Sequence, residues 1–166
     1  MRAWSLYRKP SERGSALVEF TLILIPLLAI IFLTANLAWI IFGWASLQEG
    51  VREGVRFGVT GQILPPNTGL DASIQQVVQQ HSSGFLNSDN SPSISVQYFS
   101  PTTLTNVTGQ TGATDGGNVV KVKASMSMKL LVPVWKSNGF SRLSLNLAAA
   151  SSDVMEGSPG GVAPSE

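Results

Sequence analysis

The feature that most constrains this chain is an uncharged, mostly apolar run of 28 residues at positions 21–48. A helix over this run would be about 42 Å long, whereas the hydrocarbon core of a bilayer requires only about 20 residues. The apolar part of a secretory signal peptide spans about 7–15 residues and ends at a small-x-small cleavage site, which does not closely follow this run. The run therefore predicts one membrane-spanning helix that continues beyond the bilayer.

The charges of the chain are unevenly distributed. Residues 1–14 carry a net charge of +3 and residues 15–166 carry −2, which gives the total of +1. Because basic residues that flank a membrane span stay in the cytoplasm, we expect residues 1–14 to form a cytoplasmic leader and the remainder to be translocated. The near-neutral total gives no reason to expect a nucleic-acid partner. The chain has no cysteine, which excludes disulfides and cysteine-based metal sites.

One carboxylate, Glu19, stands at the entrance to the apolar run, where an unpartnered acid is costly. If a peptidase cuts after Gly14, the new N-terminus is Ser15, whose amine is largely protonated at neutral pH. Glu19 would then lie about 6 Å further along the helix and could pair with the Ser15 amine of a neighbouring, axially offset helix. The alternative is a plain signal anchor in which Glu19 reaches the lipid headgroups, and the residues alone favour neither reading.

Two rows of residues spaced by four continue the helical pattern beyond the apolar run. The apolar row comprises Leu47, Val51, Val55 and Val59, and the small row comprises Ser46, Gly50, Gly54 and Gly58. Because glycine costs a helix about 1 kcal/mol relative to alanine, three glycines in one row indicate that another backbone approaches closely. A frayed, glycine-rich helix end is the alternative. We therefore predict a transmembrane and assembly helix over residues 15–60, with Gly50, Gly54 and Gly58 as packing positions.

Residues 61–156 are predicted to form an extracytoplasmic α+β domain. Asp71 is expected to cap a short helix that ends near His81. Three later segments alternate apolar and polar residues with period two, which is typical of an antiparallel sheet with one exposed face. Their apolar positions are Ile94, Val96 and Tyr98; Val120, Val122, Ala124, Met126, Met128, Leu130 and Val132; and Leu143, Leu145, Leu147 and Ala149. The short helix and the outer end of the long helix are the only candidates to cover this sheet.

The connecting segments complete the predicted fold. Residues 100–118 are expected to form a long mobile loop, and residues 157–166 a disordered tail. Asn138 and Gly139 are expected to mark the turn between the last two strands. The fold class is therefore α+β, with a long N-terminal helix, a short second helix and a small three-stranded antiparallel sheet.

Patterns that would indicate catalysis or metal binding are weak in this sequence. His81 is the only histidine and ends a glutamine-rich helix, so a solvated role is far more common than a catalytic one. Residues 114–118 are too short for a calcium loop and lack its terminal glutamate. The lysines at 121, 123 and 129 are typical of a solvated sheet face. We therefore expect no enzymatic activity, no cofactor and no metal.

Residues 14–20, with the sequence Gly-Ser-Ala-Leu-Val-Glu-Phe, follow a short basic leader and precede the apolar run. This arrangement resembles the type IV prepilin processing signature, in the version of the TadE-like pseudopilins of the Tad (tight adherence) branch. The segment Arg-Glu-Gly-Val-Arg at 52–56 and the last two predicted strands are also similar to that family. The similarity covers roughly residues 12–60 and 119–152.

The resemblance implies a pilin-like lollipop fold and a structural role as a minor pilin or pseudopilin, in a pilus for adhesion and biofilm formation. It implies that a prepilin peptidase cuts between Gly14 and Ser15, that Glu19 is the assembly carboxylate and that Phe20 is the aromatic residue that often follows it. The implied partners are this peptidase, other pilin or pseudopilin subunits, the inner-membrane assembly machinery and the lipid bilayer. The chain would cross the bacterial inner membrane once, with its N-terminus in the cytoplasm.

Two other functions are compatible with the residues. One is a single-pass, membrane-anchored binding module that is neither processed nor assembled and that recognises a ligand through the sheet and residues 100–118. The other, a membrane-bound hydrolase, is the weaker because it would depend on His81.

Overall fold

A computed structural model describes residues 12–86, 92–131, 134–136 and 139–156. Within these residues the chain forms two helices, a three-stranded antiparallel sheet and a two-stranded hairpin. In chain order the elements are α1 (Glu12–Val59), α2 (Leu70–His81), β1 (Ser93–Phe99), β2 (Val119–Lys129), β3 (Val134–Lys136), β4 (Gly139–Ser141) and β5 (Ser144–Val154). This architecture confirms the predicted α+β class. Most of the predicted leader and the whole predicted tail lie outside the described residues.

Helix α1 has 48 residues and is therefore about 72 Å long. Its two halves differ in burial. Between Gly14 and Ala35 the side chains are exposed or half-exposed, and Asn36 is the first buried residue. From Gly43 onward one face of the helix is buried against the rest of the chain. The helix thus divides into a free N-terminal half and a C-terminal half that belongs to a packed head domain.

The C-terminal half of α1 forms one wall of the hydrophobic core, as the spacing of its apolar row predicts. Leu47, Val51 and Val55 are buried there. The opposing core residues are, on α2, Leu70, Ile74 and Val78; on β1, Val96 and Tyr98; and on β2, Val120, Val122, Ala124, Met126 and Met128. Burying a leucine or valine side chain contributes about 1.5–3 kcal/mol. Apolar burial therefore joins the head domain to α1.

The main sheet has the order β1-β2-β5, with both neighbouring pairs antiparallel. In the centre of the sheet, Val122 pairs with Val96 on one side and with Ser151 on the other. The apolar residues of β2 at even positions from 120 to 128 are all buried, which confirms the predicted inward face of this strand. The edge strand β5 is less covered, since Leu145 is exposed and Leu147 is half-buried.

Strand β2 runs back along α1 towards the free half of the helix. Its beginning lies beside Gly58, since a methyl group at Gly58 would come within 3.6 Å of Val120. Near its end, Met128 lies against Gly43. The eight steps from Val120 to Met128 span about 26 Å in a strand, and the fifteen steps from Gly58 to Gly43 span about 22 Å in a helix. The two elements are therefore close to antiparallel.

The expected capping role of Asp71 is wrong. The N-cap is Gly69, whose extended backbone places its carbonyl 2.9 Å from the Ser73 hydroxyl, which donates to it. Because α2 already begins at Leu70, Asp71 lies in the first turn. Its carboxylate accepts a hydrogen bond from the Tyr98 hydroxyl instead and so ties α2 to β1.

The connection between β2 and β5 also differs from the prediction. Strand β2 ends at Lys129, and the Leu130 N–H then donates to the Leu143 carbonyl at 2.9 Å. A separate hairpin, β3–β4, follows in place of a loop. The predicted turn at Asn138 and Gly139 therefore belongs to this hairpin and does not join β2 to β5; Gly139 has a φ of +110°, and Asn138 lies outside the described residues. Val132, predicted as the last residue of the long strand, lies outside them as well.

Residues 100–118 are attached to the sheet by hydrogen bonds at both ends. The Val107 N–H donates to the Tyr98 carbonyl at 2.9 Å, and the Tyr98 N–H donates to the Thr108 hydroxyl at 2.8 Å. At the other end, the Met155 N–H, directly after β5, donates to the Asn118 carbonyl at 2.7 Å, and the Gly117 N–H donates to the Met155 carbonyl at 2.9 Å. The segment lies between β1 and β2 without a helix or strand of its own, as the predicted long loop; its mobility stays a prediction.

Candidate assembly site on the N-terminal helix

The residues of the predicted processing motif lie near the N-terminal limit of the described part of α1. Gly14 and Ser15 are both helical there. Gly14 is exposed, and a methyl group added to it would meet no atom within 4 Å. The residue before the predicted cleavage position is therefore accessible.

Glu19 and Phe20 lie one turn further along α1. Glu19 is four residues after Ser15 and therefore shares its face of the helix. The side chains of Glu19 and Phe20 are both exposed within the chain. Among the residues that the structure describes, none forms an ion pair with Glu19. The structure thus brings the motif together on one accessible helix end and leaves its carboxylate open to a partner from another chain.

The stretch from residue 14 to residue 35 has the length of a bilayer core. Its 22 residues span about 33 Å as a helix, against about 30 Å of hydrocarbon. The hydroxyls of Thr21 and Thr34 donate to helix carbonyls one turn earlier, at 2.8 Å, which satisfies them without water. Within the described residues, α1 is the one helix long and apolar enough to cross a membrane. It therefore fits a single-pass anchor.

The boundary between the free and packed halves of α1 is marked by aromatic residues. Trp39 and Phe42 on α1 pack against Phe85, which follows α2, with ring centroids 5.3 and 5.6 Å apart. The head domain thus reaches the helix about one turn beyond Asn36. This contact explains the surplus length of the 28-residue apolar run, because its outer part packs on the head.

The small-residue row faces α2. A methyl group in place of the Gly50 hydrogen would lie 2.8 Å from the carbonyl oxygen of Val78, and one at Gly58 would lie 2.9 Å from Cδ1 of Ile74. A methyl group at Gly54 would overlap the Val78 side chain. These glycines therefore allow α1 and α2 of the same chain to approach closely. Gly43 lies outside this row, and no sequence pattern indicates its role. A methyl group there would overlap the Met128 side chain on β2.

The remaining polar candidates do not converge on a common site. The Nδ1 atom of His81 lies 3.0 Å from the Val77 carbonyl in its own helix. The described residues contain no group of three or more histidine, cysteine, aspartate or glutamate side chains that could hold a metal ion. Lys121 and Lys123 lie on the outward side of β2, and the ammonium of Lys121 lies 5.8 Å from the ring centroid of Phe99.

The family model of the TadE-like proteins matches residues 14–56 of this chain, which is 43 of its 166 residues. The match begins at the predicted cleavage position and ends in the glycine row, so it covers the free half of α1 and most of the packed half. It confirms the resemblance to TadE-like proteins over this segment and is consistent with a pilin-like protein associated with the Tad pilus. No curated protein and no solved structure shows a significant match to the chain.

Proposed function

We propose that this protein is a structural, non-enzymatic minor pilin or pseudopilin of a Tad-type pilus. The observation that supports this proposal is the coincidence of three features within the TadE-like segment. These are an accessible Gly14, an exposed Glu19 and an exposed apolar stretch of bilayer length. A membrane anchor that is neither processed nor assembled needs only the apolar stretch of bilayer length.

The proposed assembly step depends on charge. Cleavage after Gly14 by a prepilin peptidase of the inner membrane removes the basic leader and creates a positive amine on Ser15. An isolated carboxylate in a low-dielectric environment is costly, whereas a hydrogen-bonded ion pair is far less so. In a bundle of α1 helices with an axial offset, the Ser15 amine of one subunit can therefore pair with Glu19 of the next. The assembled state satisfies a charge that the separate subunit leaves exposed.

The location of the head domain follows from the same membrane topology. With the leader in the cytoplasm, residues 61–156 lie outside the inner membrane, where incorporation into a pilus places them on the surface of the filament. Adhesion and biofilm formation are the functions proposed for such a pilus. Its assembly partners are other pilin-like subunits and the inner-membrane machinery.

The processing step is tested with Gly14→Ala in cells that express the Tad system. We expect the wild-type protein to begin at Ser15 by mass spectrometry of its N-terminus, and the variant to retain all fourteen leader residues and to give no pili. Glu19→Gln serves as the comparison, since it leaves the cleavage position intact and should still begin at Ser15. Working pili built from protein that begins at Met1 would overturn the proposal and favour a tethered binding module.

The charge pairing is tested with Glu19→Gln against Glu49→Gln. Both variants remove one carboxylate from α1, but Glu49 is an exposed residue of the packed half, outside the bilayer-length stretch. We expect Glu19→Gln to reduce incorporation into pili strongly and Glu49→Gln to leave it at the wild-type level, measured by immunoblot of sheared filaments. Normal incorporation of Glu19→Gln would contradict the pairing without affecting the cleavage.

A further inference from the structure

We propose that the end of the head domain nearest the free half of α1 binds the surface of the bilayer that α1 crosses. We name this surface the membrane-proximal tip; it comprises Lys129, Leu131, Arg142, Leu143 and Leu145, at the end of β2 and the start of β5. The proposal requires that α1 spans a bilayer. It does not require that the chain is cleaved or assembled into a pilus.

The position of the tip follows from the packing of β2 on α1. Met128 lies against Gly43, and the chain from Met128 to Leu131 can extend by up to about 10 Å. Seven residues of helix also span about 10 Å, so Leu131 can reach as far as the level of Asn36. The exposed apolar stretch of α1 ends at that level. The tip therefore lies where the helix leaves the hydrocarbon core.

The tip exposes large apolar side chains. Leu131 is 47% exposed and Leu143 is 42% exposed, whereas the apolar residues of β2 at even positions from 120 to 128 are buried. Leu145, the next residue on the same side of β5, is also exposed. Phe42 and Trp44 flank Gly43, which lies against Met128, the strand partner of Leu145, and they are exposed as well. Aromatic and apolar side chains at this height are typical of residues in the headgroup region.

The tip is also basic. Between Asp115 and Asp153 the chain has five lysine or arginine residues and no acidic residue. Lys129 and Arg142 of the tip are exposed, and Lys136 belongs to the hairpin between them. Basic side chains close to an anionic lipid surface are attracted to it. Apolar and basic groups at one level thus match a lipid surface that carries anionic headgroups.

The absence of cysteine from the natural chain allows a direct test. Single variants Leu131→Cys, Thr103→Cys and Ile30→Cys of the full-length protein each carry one environment-sensitive fluorophore. They are reconstituted at about one protein per vesicle, in phosphatidylcholine vesicles with or without phosphatidylglycerol and with a quencher attached to the lipid. Ile30 reports on the membrane-spanning stretch. Thr103 is exposed in the segment after β1, at the opposite end of the sheet, and reports on the solvent.

We expect blue-shifted, quenched emission at residues 131 and 30, and water-like, unquenched emission at residue 103. Quenching at residue 30 together with water-like emission at residue 131 would overturn the tip proposal and leave the anchor intact. A blue shift without lipid quenching at residue 131 would show that the fluorophore is buried within the protein itself and would also overturn the tip proposal. Loss of quenching at residue 30 would overturn the anchor and the tip together.

The basic component is tested in the Leu131→Cys background. Lys129→Gln with Arg142→Gln should reduce the quenching gained from phosphatidylglycerol. The control, Lys121→Gln with Lys123→Gln, removes two charges of β2 that lie farther from the bilayer. It should leave the quenching gained from phosphatidylglycerol unchanged. Equal quenching in both double variants would overturn the assignment of anionic headgroups.

Discussion

Both halves of α1 carry large apolar side chains, but these side chains have different surroundings. In the free half, Leu33 is 69% exposed within the chain, whereas Leu47, two heptads later on the same helix, is 0% exposed. Leu33 lies in the stretch that fits a bilayer, and Leu47 packs against the head domain. One continuous helix thus fits a membrane anchor along one part and forms a core element along the other.

The comparison shows what controls the stability of each half. The free half depends on lipid or on neighbouring helices, since its side chains have few partners within the chain. The stability of the packed half depends on close packing, because its glycines leave room for α2 and its apolar row lies in the hydrophobic core. Substitutions of the same type should therefore have different effects in the two halves.

The largest difference is expected for Leu47→Ala against Leu33→Ala. Truncation of a buried leucine costs about 2–5 kcal/mol, because apolar burial is lost and a cavity remains. Leu33→Ala should change the stability of the head domain by less than about 0.5 kcal/mol, since it removes an exposed side chain. Thermal unfolding of the full-length protein in detergent, followed by near-ultraviolet circular dichroism, measures both values. Equal losses would contradict the division of α1 into two halves.

A smaller effect is expected for Gly50→Ala against Gly14→Ala. The added methyl group at Gly50 meets the Val78 carbonyl oxygen, a backbone atom that cannot rotate away. Overpacking costs about 1–3 kcal/mol, and the better helix propensity of alanine returns up to about 1 kcal/mol, so a net loss of about 1 kcal/mol is expected.

Gly14→Ala is the matched control, because open space surrounds Gly14. It should leave the unfolding of the head domain unchanged while it blocks processing. A head domain that is equally stable with Gly50→Ala would show that α2 does not approach α1 as closely as described.

The smallest effect is expected for Glu53→Gln, in the packed half. The Arg56 guanidinium lies 3.8 Å from the Glu53 carboxylate, and the Arg56 side chain is 82% exposed. Exposed helical ion pairs of this spacing contribute about 0.3–0.5 kcal/mol and are screened by salt. The unfolding temperature should therefore fall only slightly at low salt and not at all at high salt. A large loss would place Glu53 in a wider charge network.

Much of the fold can be predicted from local patterns. The apolar run and the row from Leu47 to Val59 predict α1, because their periodicity is long and regular. The inward face of β2 is equally clear, since its alternation continues over many residues. The three-residue strands β3 and β4 are too short to give such a signal, so the sequence predicts only a turn in this stretch.

Individual residues also differ in whether a local sequence pattern reveals their role. Gly14, Ser15, Glu19 and Phe20 can be recognised from the sequence because they are contiguous and lie at a fixed distance from the apolar run. The contact between Asp71 and Tyr98 joins residues 27 positions apart and has no local pattern. Gly43 was missed for a related reason, since its partner Met128 comes from a distant strand.

The sequence by itself determined the long helix, the motif that resembles a processing signature and the sheet pattern, because each depends on neighbouring residues and on the solvent they prefer. Only the tertiary structure decided where the stretch that fits a bilayer ends. The apolar run continues past residue 35 without a break, and its composition does not distinguish lipid from protein as the surrounding medium. Packing of β2 and Phe85 on α1 makes that distinction, because it assigns the outer part of the run to the core of the head domain.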